Sequence, residues 1–281
     1  MATYEDTPGI NWSTLKHMAE SPAHYRAALR EPGKDTDALA IGRAFHCLVL
    51  EPFEFSNRFA IWPEASGQRR GKAWEAFCAE AQAYAEPKTI LREQDLGSIR
   101  AMAAAVHDHP AFATVCASER PAVESTLVWT DEETGLRCKG RADYIGPDTR
   151  VLVDLKSTMT THAKRFGSAA ARLAYHGQFA HYAAGVRAKY GFEPRCYIIA
   201  VEKTRPFDVA VFEVLPDDLR LGEALRRDLL TKLVECQRTD TWPTRSTGIL
   251  PLQLPAWAYA DDALTREDYG DDDLDPASVG L

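Results

Sequence analysis

The sequence predicts an α/β fold in which a mainly antiparallel central sheet is flanked by helices and preceded by a helical amino-terminal elaboration. Three observations carry this. Apolar residues recur at helical spacing through the first 110 residues, and near Ala122 the pattern switches to strand-length apolar or alternating runs separated by turn residues. A long helical segment then separates these runs from two more. Helices, a meander, a crossover helix and further strands together suit one α/β core.

Taken in order, Ser13 is the candidate cap before TLKHMAE, and helices are expected over residues 37–50, 71–84 and 96–107. SPAHY, REPGKD and IWPEASGQRRGK, rich in turn formers, connect them. AVESTLVWT, GLRCKGRADYI and RVLVDLKST read as three strands joined by DEETG and GPDT, which makes consecutive hairpins. A helix over residues 172–190, the strands RCYIIAVEK and DVAVFEVL, and a helix over residues 217–236 complete the order. The expected organisation is one domain over residues 1–260. It comprises a mainly helical part at 1–110, a sheet core with its crossover helix at 120–215, and a carboxy-terminal helix with extension at 216–260.

Residues 261–281 are set apart by charge. The chain carries a net charge of −8, of which −7 falls in those residues, so the first 260 are near neutral and a polyanionic substrate is not excluded. The segment is acidic and poor in apolar residues, and a mobile tail is expected. A hydrophobic content of 45% is enough for a sizeable core. The chain has no stretch of about 18 apolar residues and no basic-then-apolar start, so no membrane association and a cytoplasmic location are expected. Six cysteines without a CxxC pair offer neither a zinc ribbon nor a secreted disulfide framework, and most are expected as small buried hydrophobes. With no GxxxxGK[ST] and no GxGxxG, ATP and dinucleotide chemistry lose their usual handles.

The chemistry concentrates in GRADYIGPDTRVLVDLKST. Period-two alternation puts Asp154 and Lys156 on one face of a strand, with Leu155 on the other. If the turn centre falls between Asp148 and Thr149, Asp143 stands directly across from Asp154, with Cβ atoms about 4.5 to 5.5 Å apart. Facing carboxylates repel, and a hard divalent cation such as Mg²⁺ or Mn²⁺ relieves that repulsion. A centre near Glu133 in the preceding hairpin brings Glu124 close to Asp143, as a third ligand or an outer-shell group. Lys156 suits phosphodiester hydrolysis, because its ammonium stabilises an anionic transition state and a lowered pKa would let it help deprotonate water. Alone, Asp154 and Lys156 are better read as a solvent-facing cross-strand ion pair, and it is Asp143 at a hairpin-compatible distance that brings the functional reading level with it.

In motif order the chain resembles the PD-(D/E)xK nuclease superfamily, its RecB-like branch, and within that the phage and prophage exodeoxyribonuclease VIII (RecE-type) group. The matching elements are INWSTLKHMAESPAHY, IGRAFH with His46, Asp143 before the hairpin, Asp154 and Lys156 after it, and QFAHY with Gln178 and Tyr182. The likeness runs from about Pro8 to Ala200. One departure is Ala142 in place of the proline of the superfamily name. Another is Ser21, which stands where some RecB-like relatives have a cluster cysteine, so no iron-sulfur cluster is expected.

The resemblance implies a restriction-endonuclease-like core and a Mg²⁺-dependent deoxyribonuclease, with Mn²⁺ as a possible substitute. Asp143, Asp154, His46 and Glu124 would form the metal site, and Lys156 would position or activate water. His46 would ligate the ion or contact the scissile phosphate. Gln178 and Tyr182, four apart on one helix face, would meet DNA, with Ser157 and Thr158 as further contacts. The implied reaction is 5′-to-3′ exonucleolysis of linear double-stranded ends, leaving 3′ overhangs for recombination. A homo-oligomeric ring and a single-strand annealing protein are the implied partners. A structure- or site-specific endonuclease on the same fold, or a non-catalytic DNA-binding or assembly protein, are the rivals. Arg69, Arg70 and Lys72 form a basic patch that fits either a phosphate contact or a solvated loop. Trp12 and Trp74 are expected in the core, and Trp62 fits core packing or DNA stacking.

Overall fold

The computed structural model describes residue 4, residues 6–31 and residues 36–254; the expected tail at 261–281 and part of REPGKD lie outside the described residues. The first helix, α1 (Trp12–Leu15), is capped by Asn11, whose side chain accepts the Thr14 N–H, rather than by Ser13. SPAHY is helix and not turn. Ser21 accepts the His24 N–H and Pro22 opens α2 (Pro22–Arg30), so the residues that suggest a turn are those that start a helix well. The next helix, α3 (Asp37–Leu50), occupies the expected residues behind a Thr36 cap.

There follow α4 (Phe55–Arg58), β1 (Phe59–Trp62), α5 (Gly71–Gln82), β2 (Thr89–Arg92), α6 (Leu96–Asp108) and α7 (Pro110–Val115). The pair β1 and β2 is parallel, Phe59 opposite Thr89 through Trp62 opposite Arg92. Part of the expected IWPEASGQRRGK connection is therefore strand, too short for alternation to reveal.

The central sheet holds β3 (Ala122–Thr130), β4 (Arg137–Gly146), β5 (Val151–Thr158), β6 (Arg195–Glu202) and β7 (Val209–Val214), side by side in chain order. All neighbours are antiparallel except β5 and β6, and that parallel pair needs the long crossover between them. The crossover is two helices, α8 (Ala163–Arg172) and α9 (Tyr175–Tyr190), not the single helix expected over 172–190; Ala174 takes a left-handed backbone, φ 54°, and breaks it. The last helix is α10 (Pro216–Thr239).

Alternation in the strands divides the interior into two cores. On one face Leu127, Trp129, Ala142, Leu152 and Ile198 pack against α1, α8, α9 and α10. On the other, Tyr144, Val153, Leu155 and Ile199 pack against α3, α6 and α7 and the small β1–β2 sheet. Of the cysteines, Cys47, Cys138, Cys196 and Cys236 are buried, while Cys78 and Cys116 are half-buried. Among the described residues no helix is long and apolar enough to cross a membrane.

Candidate active site

The register of both hairpins brings the acids together. The β4–β5 pairs run from Gly146 with Val151 to Tyr144 with Val153, and one further step puts Asp143 across from Asp154. There the ladder stops. In place of a β4 partner, the Leu155 N–H donates to Asp143 Oδ2 at 2.7 Å, so the carboxylate satisfies a buried backbone donor where β4 parts from β5.

On its other side, β4 pairs with β3 from Ala122–Ile145 to Thr130–Arg137, but the Glu124–Asp143 pair is missing from the ladder. Glu124 has φ 45°, an uncommon conformation for a non-glycine residue, and costs of this kind collect at functional sites. Both strands change face at this point. In β4, Ala142 belongs to the first core and Tyr144 to the second; in β3, Leu127 belongs to the first and Val123 packs on the second. The interruption turns Glu124 and Asp143 out of regular alternation and toward α3. There His46 Nδ1 stands 3.5 Å from Asp143 Oδ2. His46, Glu124 and Asp143 each offer one ligand atom, and those atoms lie within 4.8 Å of one another.

Asp154 stands beside this trio rather than in it. It is 3% exposed. Its Oδ1 accepts from Gln178 Nε2 at 3.0 Å, and the same amide donates to the Tyr182 hydroxyl at 3.4 Å. Asp154 Oδ2 lies 2.6 Å from Lys156 Nζ as a close ion pair. The Lys156 ammonium also lies 4.8 Å from the centre of the Tyr175 ring. Helix α9 is set close to the sheet by two glycines: a Cβ on Gly140 of β4 would lie 2.9 Å from the Tyr182 ring, and one on Gly185 of α9 would lie 2.8 Å from the Trp129 ring of β3, while Gly177 makes room for Trp12 of α1.

These contacts fix the charges. Burial and then the repulsion of Asp143 push the Glu124 carboxyl up to about 7. Burial works against ionisation of Asp143, but His46, Lys156 and the Leu155 N–H outweigh it and hold that carboxyl below its usual range. Burial opposes protonation of His46, yet Asp143 and Asp154 leave its pKa raised. Asp154 is raised, by burial first and by Asp143 against the pull of Lys156. Burial lowers the Lys156 pKa, but Asp154, Tyr175 and Asp143 raise it above the usual lysine range. The expectation that a lowered pKa lets Lys156 take a proton from water is therefore corrected: Lys156 is an ammonium, suited to neutralising developing negative charge.

The donor set fits a hard divalent cation. Two carboxylates and an imidazole converge, burial and then Asp143 push one acid toward neutrality, and the buried Asp154 carboxylate adds a third negative group beside them. Such an arrangement gains from a positive charge placed among the acids, with Mg²⁺ and Mn²⁺ as matching ions.

Other expected contacts fall elsewhere. Thr158 Oγ1 donates to the Thr160 carbonyl at 3.2 Å and accepts from Thr160 N–H, shaping the turn after β5, while Ser157 alternates to the face opposite Lys156. Arg69 pairs with Asp37 at 2.7 Å and lies over Trp74, which ties down its loop. Trp62 is buried, with its Nε1 donating to the Gly67 carbonyl at 2.8 Å, and belongs to the core, as does Trp12. Three residues near the site escape the sequence reading: Tyr175 against Lys156, Arg141 beside Glu124 at 3.4 Å, and half-buried Lys16, whose pKa is lowered by burial and then by Lys156. Spacing carries some of this. Tyr175 is one helical turn before Gln178, and Arg141 is two strand positions before Asp143.

A family model described as a PDDEXK-like domain of unknown function (DUF3799) matches residues 11–250. The crystal structure of a "Putative exonuclease" from Eubacterium rectale shares the fold, with a TM-score of 0.56 and 14% identity over 88% of this chain and 91% of that one. SSO0001 overlays with a TM-score of 0.29 and 12% identity over 78% of this chain and 82% of that one, too loosely to support an argument. No curated protein matches the sequence.

Proposed function

Because the chain belongs to the PDDEXK-like domain family DUF3799, we propose that it is a Mg²⁺-dependent deoxyribonuclease that hydrolyses phosphodiesters of double-stranded DNA from linear ends. The observation that carries this reading is the convergence of His46, Glu124 and Asp143 next to the buried Asp154–Lys156 ion pair. Membership of the RecE-type group is supported by IGRAFH before the sheet and QFAHY in the crossover between β5 and β6, and 5′-to-3′ polarity with 3′ overhangs comes from that group rather than from the motifs. The same likeness supports a homo-oligomeric ring and a single-strand annealing partner. The Eubacterium rectale neighbour, described as a "Putative exonuclease", shares the fold. Residues 1–260 act as one nuclease domain.

His46, Glu124 and Asp143 would hold the metal, with Asp154 Oδ2 beside them. A bound Mg²⁺ supplies Lewis acidity toward a phosphate oxygen and makes a water more acidic. The protein's own groups do the rest. Lys156 places its charge where the pentavalent phosphorus becomes more negative, Asp154 holds that ammonium in place, and Gln178, braced by Tyr182, fixes Asp154. Water oxygen bonds to phosphorus, the bond from phosphorus to the 3′ oxygen breaks, and the products are a 5′-phosphate and a 3′-hydroxyl.

Linear duplexes labelled at either end, and closed-circular duplexes beside them, incubated with Mg²⁺ or EDTA, test the reading. Expected are Mg²⁺-dependent release from the 5′ end of linear DNA, intact circles, and loss of activity in Asp154→Ala and Lys156→Ala. DNA binding without any metal-dependent cleavage would favour a binding module, and circles cut as fast as linear DNA would favour an endonuclease.

A further inference from the structure

Strand β4 presents two cations just before Asp143, and they are used differently. Lys139 is 7% exposed and its Nζ donates to the carbonyls of Tyr4 and Thr7, both at 2.8 Å, so it fastens the amino-terminal segment to the sheet. Arg141 has a side chain 41% exposed, with its Nε 3.4 Å from Glu124 Oε2 and its guanidinium 4.9 Å from the centre of the Tyr4 ring. Among the described residues its terminal nitrogens have no hydrogen-bond partner.

As a stabilising pair this contact has little value. The Arg141 side chain is 41% exposed, so solvent screens its side of the pair, and it competes with any cation for the same carboxylate. The arrangement gains a purpose if the arginine has a second partner once Glu124 is engaged. Its planar fork, 4.9 Å from the centre of the Tyr4 ring and on a side chain 41% exposed, is a group that matches phosphate.

We propose that Arg141 is a phosphate-binding residue coupled to the metal site: it neutralises Glu124 when the site is empty and turns its fork to a phosphate of the bound strand when a cation takes Glu124. This rests on the reading of the site as a nuclease centre. Metal and DNA then bind cooperatively, because the ion releases the group that the DNA needs.

The test uses full-length Arg141→Met and Arg141→Lys, with Arg141→Gln in place of the methionine variant should that fail to fold. Mn²⁺ binding without DNA, followed by electron paramagnetic resonance, is expected to be as tight as wild type or tighter in Arg141→Met, since the competitor is gone. Binding of a fluorescent linear duplex is measured with Ca²⁺ and with EDTA. Wild type is expected to bind DNA more tightly with Ca²⁺. Arg141→Met is expected to lose roughly 10- to 100-fold with Ca²⁺ but little with EDTA, with its salt dependence in Ca²⁺ reduced by about one phosphate contact. Arg141→Lys should fall between, keeping the charge but not the fork. Unchanged DNA affinity in Arg141→Met, or an equal loss with Ca²⁺ and EDTA, overturns the proposal. If wild type cuts linear DNA while Arg141→Met binds it normally, the arginine proposal alone fails; if wild type neither binds nor cuts DNA, the nuclease reading fails with it.

Discussion

The side chain of Asp143 accepts the backbone N–H of Leu155 at 2.7 Å, where the β4–β5 ladder has just ended. One carboxylate thus closes the sheet with one oxygen and belongs to the cation cluster of His46 and Glu124. The two duties can be separated. Asp143→Asn keeps an acceptor for Leu155 and loses the charge, so its stability should stay near wild type while Mn²⁺ binding collapses. Asp143→Ala also strands the buried N–H and should lose about 1 to 3 kcal/mol. Denaturant melts in EDTA alongside Mn²⁺ titrations check both, and equal melts for the two variants would refute the separation.

The Glu124 carboxyl, pushed up to about 7 by burial and Asp143, gives metal binding a pH dependence. Below that value a proton competes for the ligand, so Mn²⁺ affinity should rise by up to about tenfold per pH unit toward 7 and flatten above it. Glu124→Gln should bind more weakly and lose that part of the slope. Isothermal titration from pH 5.5 to 8.5 measures this directly.

His181 sets acid stability. It is fully buried between Trp12 and Trp129, with Nε2 3.0 Å from the Lys139 carbonyl and Nδ1 without a partner. The carbonyl can only accept, which assigns the proton to Nε2. Burial pushes the pKa from 6.5 down to about 4, so the unfolded chain binds the extra proton more readily. The neutral ring's advantage is complete above pH 6.5, declines as pH falls toward 4 and is spent below it, a change of about 3 kcal/mol. Melts of wild type and His181→Gln in EDTA should converge in stability across that window. Parallel pH profiles would contradict it.

Gly140 leaves the space that Tyr182 fills. A Cβ there would lie 2.9 Å from two ring atoms, so Gly140→Ala should push the ring and with it Gln178. A loss of about 1 to 3 kcal/mol is expected, with reduced DNA cleavage. The loss should be smaller when Gly140→Ala is made in a Tyr182→Ala background, a non-additivity that a double-mutant cycle reads out.

The centre of the site was legible because strand pairing is arithmetic. Turn residues at DEETG and GPDT set both registers, and alternation placed Asp154 and Lys156 together, as the pairings of β3, β4 and β5 bear out. What escaped was conformation that residue type does not encode. Nothing about a glutamate announces φ 45°, so Glu124 could be placed near Asp143 but not turned out of the ladder. Ala174 misled in the same way: surrounded by good helix formers, it still takes a left-handed backbone that splits α8 from α9. SPAHY went wrong for the opposite reason, since serine followed by proline opens a helix as well as a turn. His46 lies about a hundred residues from its partner Asp143, and no local pattern joins them; only motif order pointed to it.

The site draws on both cores, His46 reaching it from α3 on one face of the sheet and Gln178 from α9 on the other, on either side of the strand that carries Asp154. That strand is itself flanked by β6, which ends at Glu202. The core under α3 and α6 also includes Tyr197, Ile199 and Val201 of β6, so during synthesis neither that core nor the centre is complete until the chain has passed Glu202. A chain cut short before Glu202 is therefore expected to leave the candidate centre unassembled.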